Sequence, residues 1–329
     1  MLDQNEFKHQ NNDSILSLFD HINQQENDDI YLPILRGAFA YLGKCHLHFD
    51  ETNDTEGISE KELILKIKDL YNVLTSGNQN ILNFIETNNL IIYIFHFFLN
   101  PISFVESFEM INCIQAILRI PIYKSNPFLF QLWIDNFLDY SPEEFCEIDE
   151  IDFIEKVINT FRLFDIPNCL TNDFSLFEDP TFLTHLCSFR LIDQCYNPII
   201  LFFDYIYSFL PSREEHLLQI TITLLSEAPY SSYFNCTTLL LHLSLETPDI
   251  FNESVVREIF FKFFETRQYP IQSNLFLSLI HLPSQISIQY INNDVIRTVS
   301  DSIISFSHKT DEDEEMKIDE SLELSSVNL

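Results

Sequence analysis

The fold class follows from residues 90–121, which read LIIYIFHFFLNPISFVESFEMINCIQAILRIP. A wholly apolar run, Leu90–Leu99, stops at Asn100-Pro101, and an amphipathic run then continues to Pro121. Asn can cap a helix, and Pro suits the first helical turn because its missing N–H would stay unbonded there anyway. In the second run the apolar side chains recur at steps of three and four residues, the period of one helix face: Phe104, Phe108, Ile111, Ile114 and Leu118. The stretch predicts two helices joined by a tight corner at Asn100-Pro101.

Glycine is scarce in this chain and absent from most of it. There are only four glycines, and none occurs in the last 252 of the 329 residues. Phosphate-binding loops, tight hairpin turns and nucleophile elbows generally need Gly, where the backbone takes a positive φ or approaches a ligand closely. The composition therefore argues against nucleotide-binding α/β folds and hairpin-rich β folds, and predicts an all-α protein.

Charge and hydropathy limit the partners and the compartment. Fifty acidic residues face 18 Lys and Arg, for a net charge of −32. Such a chain is repelled by nucleic acid and by anionic membranes, and it suits basic or neutral protein partners. The N-terminus carries no secretory signal, and the longest apolar run is about half the ~20 residues needed to cross a bilayer. Seven scattered cysteines then read as reduced thiols, mostly in the core. We expect a cytoplasmic or nuclear protein, neither secreted nor transmembrane.

Polar–Pro pairs and capping boxes mark further helix starts along the chain. Each pair supplies a cap residue followed by Pro at the first helical position: Asn100-Pro101, Asn126-Pro127, Ser141-Pro142, Asp179-Pro180 and Asn197-Pro198. Ser followed three residues later by Glu is a capping box, and it occurs at Ser59–Glu62, Ser141–Glu144 and Ser212–Glu215. Between these marks lie apolar-periodic segments too long for ordinary strands, the clearest at residues 252–265.

A second set of prolines recurs at long, similar intervals. The segments ILRIP, LFDIP, YSFLP, SLETP and LIHLP end at Pro121, Pro167, Pro211, Pro248 and Pro283, so the intervals are 46, 44, 37 and 35 residues. A recurrence near forty residues with two or three helices per period is the spacing of armadillo and HEAT repeats. In this pattern the chain resembles the armadillo-like helical repeat superfamily over roughly residues 30–305. The resemblance implies a right-handed α–α superhelix, an armadillo-like or HEAT-like solenoid, of about five or six repeats.

Composition divides the chain into three parts. Residues 1–29 are polar and are expected to be partly disordered, residues 30–307 form the repeat domain, and residues 308–329 form an acidic disordered tail. The tail keeps a Phe-rich protein soluble, or it is an interaction segment that folds back on a groove or recruits a basic partner.

No residue pattern points to catalysis, a metal or a cofactor. Cys45-His46-Leu47-His48 is one cluster of ligand types, but zinc sites usually combine two such clusters. We expect Cys45 in the core, with His46 and His48 reaching solvent. The acidic run at residues 143–152 could supply a carboxylate pair, but such a run is usually a solvated loop. There is no G-x-S-x-G motif, and the chain is predicted not to be an enzyme.

The resemblance also suggests a binding surface. In armadillo-like solenoids the last helix of each repeat lines a groove, where polar side chains hold extended peptides. The segments before Pro121 and Pro167 each carry a polar stripe. The first comprises Glu109, Asn112, Gln115 and Arg119, and the second comprises Asp152, Glu155, Asn159 and Arg162. We take Asn112, Gln115, Arg119, Glu155, Asn159 and Arg162 as candidate peptide-binding residues. The simpler interpretation is an ordinary solvated helix face.

The predicted function is a non-catalytic scaffold or adaptor that binds basic or extended protein segments along an acidic groove. A divergent nuclear-transport adaptor or a phosphatase-type regulatory subunit is the alternative within binding proteins. Importin-α-like adaptors use Trp repeatedly, whereas Trp133 is the one tryptophan here and is expected to be a core anchor. An all-α enzyme with an unrecognised site is the alternative from another class.

Overall fold

The fold is given by a computed structural model that describes residues 30–52, 55, 57–171, 174–178, 180–210, 215–298 and 300, without the side chains of residues 50, 51 and 178. Every regular element within these residues is a helix, which confirms the predicted all-α class. The predictions for residues 1–29 and 308–329 lie outside the described residues, as do those for Asp179, Pro211 and Ser212.

The chain forms two compact units, Met1–Tyr205 and Ile206–Leu329. The described helices of the first unit are α1 (Tyr31–Thr52), α2 (Glu60–Thr75), α3 (Gln79–Thr87), α4 (Leu90–Leu99), α5 (Phe104–Leu118), α6 (Pro121–Lys124), α7 (Pro127–Leu138), α8 (Ile148–Thr160), α9 (Ile166–Cys169), α10 (Ser175–Glu178), α11 (Pro180–Ser188) and α12 (Asp193–Tyr207), whose last turn crosses the unit boundary. Single 3-10 turns lie at Pro142–Glu144, Phe161–Leu163 and Phe189–Leu191.

The second unit contains α13 (Glu215–Glu227), α14 (Tyr233–Glu246), α15 (Ser254–Phe264), α16 (Tyr269–His281) and α17 (Ser284–Ser287). Its 3-10 turns lie at Tyr230–Ser232, Pro248–Asn252 and Ile288–Tyr290, and residues 293–298 are again helical.

The expected caps hold at some helix starts and shift at others. Asn126 caps α7, with Pro127 as its first residue, and the Ser59 hydroxyl accepts from the Glu62 N–H at the start of α2. The predicted start of the second helix at Asn100-Pro101 is wrong, because α5 begins at Phe104 with Ser103 as its cap. Glu106 accepts the Ile102 N–H at 2.7 Å, which holds the preceding corner in a non-helical conformation.

Pro198 is a second correction, since it lies inside α12 and not in its first turn. A proline inside a helix removes one backbone hydrogen bond. The apolar face of α12 begins before the proline, at the fully buried Cys195, and continues after it through Ile199 and Phe202. Burial of that face on both sides of Pro198 offsets the missing bond.

The recurring prolines follow helix ends and open short turns. Helix α5 ends at Leu118 before Pro121, α14 ends at Glu246 before Pro248, and α16 ends at His281 before Pro283. Pro121 and Pro248 then begin the short helices Pro121–Lys124 and Pro248–Asn252. Each of these prolines therefore lies at the corner between longer helices.

The longer helices pack on partners further along the chain. In the first unit α2 packs against α1 and α5, and α5 packs against α4 and α8. In the second unit α13 packs against α15, and α14 packs extensively against α16, so both pair with the helix two positions along the chain. Helix α15 also packs against the next helix, α16.

Aromatic side chains fill the core of the first unit. Trp133 is only 1% exposed and stacks on Phe98 with ring centroids 5.0 Å apart, which confirms its expected role as a core anchor. Phe161 is fully buried and lies 5.2 Å from Phe137 and 5.4 Å from Phe182, measured between ring centroids. Aromatic pairs in this geometry add to the free energy gained from burial alone.

Among the described residues, no single helix is long and apolar enough to cross a membrane. Helices α3 and α4, which meet at an angle of 77°, pass that test of length and composition only when they are taken together.

Replacing Phe161 by Ala should lower the free energy of unfolding of the first unit by about 3–5 kcal/mol, because it opens a cavity in the aromatic core. Denaturant titration followed by the fluorescence of Trp133, the single tryptophan, measures this unit directly. Ile148 is 76% exposed and provides the control, since Ile148→Ala should change the value by less than about 0.5 kcal/mol. Equal effects of the two variants would contradict this description of the core.

Candidate functional site

The two predicted polar stripes lie on neighbouring helices of the first unit. Asn112 and Gln115 are half-buried on α5, and Glu155 and Asn159 are half-buried on α8, which packs against α5. Arg119 and Arg162 are exposed just after the ends of α5 and α8: Arg119 is the C-cap of α5, and Arg162 lies in the following 3-10 turn.

Part of this polar surface serves to join the helices. The Gln115 side-chain amide donates to the Thr160 hydroxyl at 3.0 Å and to the Lys156 carbonyl at 3.4 Å. The Lys156 ammonium lies 4.0 Å from the centroid of the Phe108 ring, a cation–π contact between α5 and α8. Of the candidate residues, Gln115 is therefore in contact with α8, and its donor is already used within the fold.

Charged residues extend the same surface on to α2. Lys68 pairs with Glu109 of α5 at 3.4 Å. Glu155 on α8 has its pKa raised by partial burial, with the nearby Asp152 adding to the effect and Lys156 opposing it. Because a raised pKa means that the carboxylate is poorly solvated, Glu155 gains from a cation placed beside it. The surface formed by α2, α5 and α8 thus offers amides, two arginines and an under-solvated carboxylate.

His46 is buried beside Glu106, so the expectation that it reaches solvent is wrong. Cys45 is buried and His48 is exposed, as expected. The His46 Nε2 atom lies 2.6 Å from Glu106 Oε1, and the other oxygen of Glu106 accepts the Ile102 N–H. The His46 ring also packs 4.6 Å from the Phe97 ring, measured between centroids. The pair joins α1 to the start of α5.

Spacing alone could not reveal this pair, since its members lie 60 residues apart. One signal was present. Ser103 and Glu106 form the S-x-x-E pattern of a helix start, and the Ser103 hydroxyl does accept from the Glu106 N–H, at 3.3 Å. That pattern would have placed the start of α5 correctly and Glu106 at the corner.

The chemistry open to the His46–Glu106 pair is limited by its burial. His46 is 3% exposed and Glu106 is 0% exposed, so neither side chain is accessible to a solute. Over the part of the chain that the structure describes, no three His, Cys, Asp or Glu side chains are grouped so that they could hold a metal ion. The arrangement is suited to positioning the corner before α5.

The acidic run at residues 143–152 is used for capping. The Ser141 hydroxyl donates to Glu143, and this bond lowers the pKa of the Glu143 carboxyl. Glu150 accepts the backbone N–H groups of Glu147 and Cys146 at 2.9 and 3.0 Å, which lowers its pKa as well. The Glu150 carboxylate satisfies free N–H groups at the start of α8, whereas Glu143 bonds a hydroxyl at the preceding 3-10 turn.

The second unit carries an apolar groove beside α16, with a volume of 660 Å³. One wall is formed by α16 side chains that lie on one side of the helix: Tyr269, Ser273, Phe276, Leu277 and Ile280. The other wall includes Ile291, Val295 and Ile296. Tyr269 and Ile280 are 77% and 73% exposed, so the groove is open to solvent. Helix periodicity alone does not reveal this groove, although the sequence of α16, YPIQSNLFLSLIH, is apolar on two sides.

Comparison of the sequence with protein-family models and curated proteins, and of the fold with solved structures, returned no match.

Glu106→Ala should destabilise the first unit by about 3 kcal/mol, because it leaves the His46 ring and the Ile102 N–H buried without their acceptor. Glu109→Ala is the matched control, since Glu109 pairs with a Lys68 side chain that is 57% exposed, and such pairs contribute about 1 kcal/mol or less. Both values come from denaturant unfolding followed by Trp133 fluorescence. A small effect of Glu106→Ala, equal to that of Glu109→Ala, would show that the buried pair contributes little.

Thiol titration should find one fast-reacting cysteine out of seven. Cys146 is exposed, whereas the other six are buried. Burial raises the pKa of Cys169, Cys187, Cys195 and Cys236 to about 12, so at pH 8 only about one in ten thousand of these thiols is ionised. An aromatic disulfide reagent at pH 8 should react quickly with one equivalent, and with the remainder only after unfolding.

Cys146→Ser should remove the fast phase of this reaction. A second fast-reacting thiol in the Cys146→Ser variant would mean that one of the buried cysteines is accessible in the native protein.

Proposed function

We propose that this chain is a non-catalytic protein-interaction scaffold or adaptor, built as a divergent armadillo-like or HEAT-like solenoid, that binds protein segments along the polar surface of α2, α5 and α8. Two lines of support are independent of each other. One is the recurrence of similar contacts along the chain, and the other is the composition of this surface.

The observation that carries the proposal is a set of side-chain hydrogen bonds between stacked helices. Cys113 donates to Ile67 between α5 and α2, and Gln115 donates to Lys156 between α5 and α8. In the second unit Lys262 donates to Ser226 between α15 and α13, and Asn274 donates to Thr238 between α16 and α14. Each of these four helix pairs is thus fixed by a polar bond in addition to apolar packing.

The spacing of these bonds matches the spacing of the prolines. The bonded residues are 46 and 41 positions apart in the first unit and 36 positions apart in both pairs of the second. The proline intervals are 46 and 44 residues, then 37 and 35. Two unrelated features therefore shorten together along the chain, as expected if both follow from one repeated unit.

The polar surface is suited to extended segments. Side-chain amides both donate and accept, so Asn112 and Asn159 on adjacent helices can each bond the main chain of a bound peptide. Glu155 favours a basic side chain at the next position, and the net charge of −32 attracts basic segments from a distance. The packing of α5 against α8 supports a shared surface to which both helices contribute.

Selection of displayed 15-residue peptides against the full chain tests this function. Enriched peptides should be basic or extended, and their affinity for the double variant Asn112→Ala/Asn159→Ala should be about 5- to 150-fold lower, since two lost side-chain bonds together cost about 1–3 kcal/mol. The double variant Asn80→Ala/Gln131→Ala removes two exposed polar side chains elsewhere in the first unit and should bind like the parent.

No enrichment, or peptides that bind the parent and both double variants equally well, would contradict the proposed surface.

A further inference from the structure

The groove beside α16 leaves uncovered a helix that is apolar on two sides. Ile271, Leu275 and the Ser278 hydroxymethyl group face the interior, whereas Leu277 and Ile280 on the other side are exposed. A contiguous exposed apolar patch on a soluble protein usually marks a binding site. Six of the eighteen exposed large apolar side chains of the described residues lie between residues 269 and 296, so this is where exposed apolar surface is most concentrated. The groove therefore favours an occupant.

We propose that the occupant is the chain's own acidic C-terminal segment, Met316–Leu324, bound in extended form against the exposed stripe of α16. The proposal goes beyond the function proposed above and does not depend on it, since it involves only the second unit. It identifies the groove as a binding site for an acidic segment with alternating apolar residues.

The segment MKIDESLEL largely alternates apolar and polar residues. Residues 316, 318, 322 and 324 are Met, Ile, Leu and Leu, while the residues between them at 317, 319, 321 and 323 are Lys, Asp, Ser and Glu. An extended chain points alternate side chains to opposite sides. Four of five side chains on one side would then be apolar, and all those on the other side would be polar.

The described chain ends at the groove. Ser300 lines the groove, and the remaining 29 residues start from it. The sixteen residues from Ser300 to Met316 can span up to about 50 Å, whereas α16 is only about 20 Å long. A tether of this length presents the segment to the groove at an effective concentration of about 1 mM, so the segment can occupy the groove even if it binds weakly.

The C-terminal segment and the region of the groove differ in charge. Residues 254–300 carry four basic side chains, Arg257, Lys262, Arg267 and Arg297, against three acidic ones. The 29 residues that follow carry nine acidic side chains and two lysines. None of these charged side chains lines the groove, whose walls are uncharged, so an acidic segment meets no like charge on the groove walls themselves. A second copy of the chain would instead bring another net charge of −32, which opposes association.

The groove also offers polar groups for a bound main chain. The Ser273 hydroxyl lines the groove and can donate to a peptide carbonyl. The Ser300 hydroxyl also lines it, but it already donates to the Ile296 carbonyl at 2.9 Å and can only accept. Its volume of 660 Å³ falls within the range of about 300–1,000 Å³ typical of ligand-binding clefts.

Site-specific photo-crosslinking in the full chain tests the proposal. With benzoylphenylalanine at position 322, irradiation should give crosslinks within one chain to residues 269–296, located by mass spectrometry. The same group at position 321, which points the other way in the alternating pattern, should give far fewer. The intrachain yield should stay constant over an about hundredfold range of protein concentration, because binding within one chain is independent of dilution.

Two variants then test the groove itself. Ile280→Asp places a charge in the apolar stripe and should lower the crosslink yield from position 322 at least about tenfold. Leu245→Asp is the control, since Leu245 is 53% exposed on α14 outside the groove, and this variant should crosslink like the parent. Circular dichroism of both variants checks that the helices are intact.

Three results would overturn the proposal. Crosslinks that join two chains and rise with concentration would identify a second copy as the occupant. Crosslinks scattered over both units would show that the segment has no site. Equal loss in Ile280→Asp and Leu245→Asp would show that the contact does not involve the groove.

Discussion

This structure depends on one constraint: each short helix must bury an apolar face against other helices to be stable. Helices of the length of α3, with nine residues, or α15, with eleven, are only marginally stable alone in water. Their stability comes from burying an apolar face against other helices, and one neighbour covers only one side. Helix α5 meets this need by packing against α2, α4 and α8. Within the residues that the structure describes, α16 keeps an exposed apolar face, formed by Tyr269, Leu277 and Ile280.

Polar residues fix the register that apolar packing leaves loose. Apolar faces can slide past each other at little cost, whereas a hydrogen bond between two stacked helices is lost after a shift of about one ångström. Gln115 on α5 and Asn274 on α16 are both half-buried, and they bond to helices 45 and 36 residues away along the chain. A polar residue on such a helix can therefore serve the fold instead of a ligand. Of the candidate peptide-binding residues, Gln115 is the clearest case.

The sequence predicted the elements better than the contacts between them. Helix periodicity and caps depend on residues within one or two turns, so α7 with Asn126-Pro127 and the apolar face of α15 could be read directly. The burial of His46 depends on Glu106, which is brought to it only by the packing of α1 near the start of α5. The Asn100-Pro101 pair predicts the start of α5 too early. The equally local Ser103–Glu106 pattern marks the observed start at Phe104. The groove was missed because periodicity identifies an apolar face without showing what covers it.

The difference in spacing between the two units has a physical origin in the helices that lie between stacked partners. Between α5 and α8 the chain forms the four-residue α6, the helix α7 and a 3-10 turn, whereas between α13 and α15 it forms the single longer helix α14 with short 3-10 turns. The 41-residue interval from Gln115 to Lys156 contains the short helix α6 at Pro121, and the 46-residue interval from Ile67 to Cys113 contains α3 and α4. Only α14 and short 3-10 turns lie within the 36-residue interval from Ser226 to Lys262. Three helices per interval are typical of armadillo repeats, and two are typical of HEAT repeats. If the chain is a solenoid, its period is set locally by how many helices lie between the stacked ones, because the stacked helices themselves have similar lengths in both units. A fixed residue-by-residue consensus is then not required for the stacking to continue, which explains how a repeated architecture can be compatible with segments that agree so little in sequence.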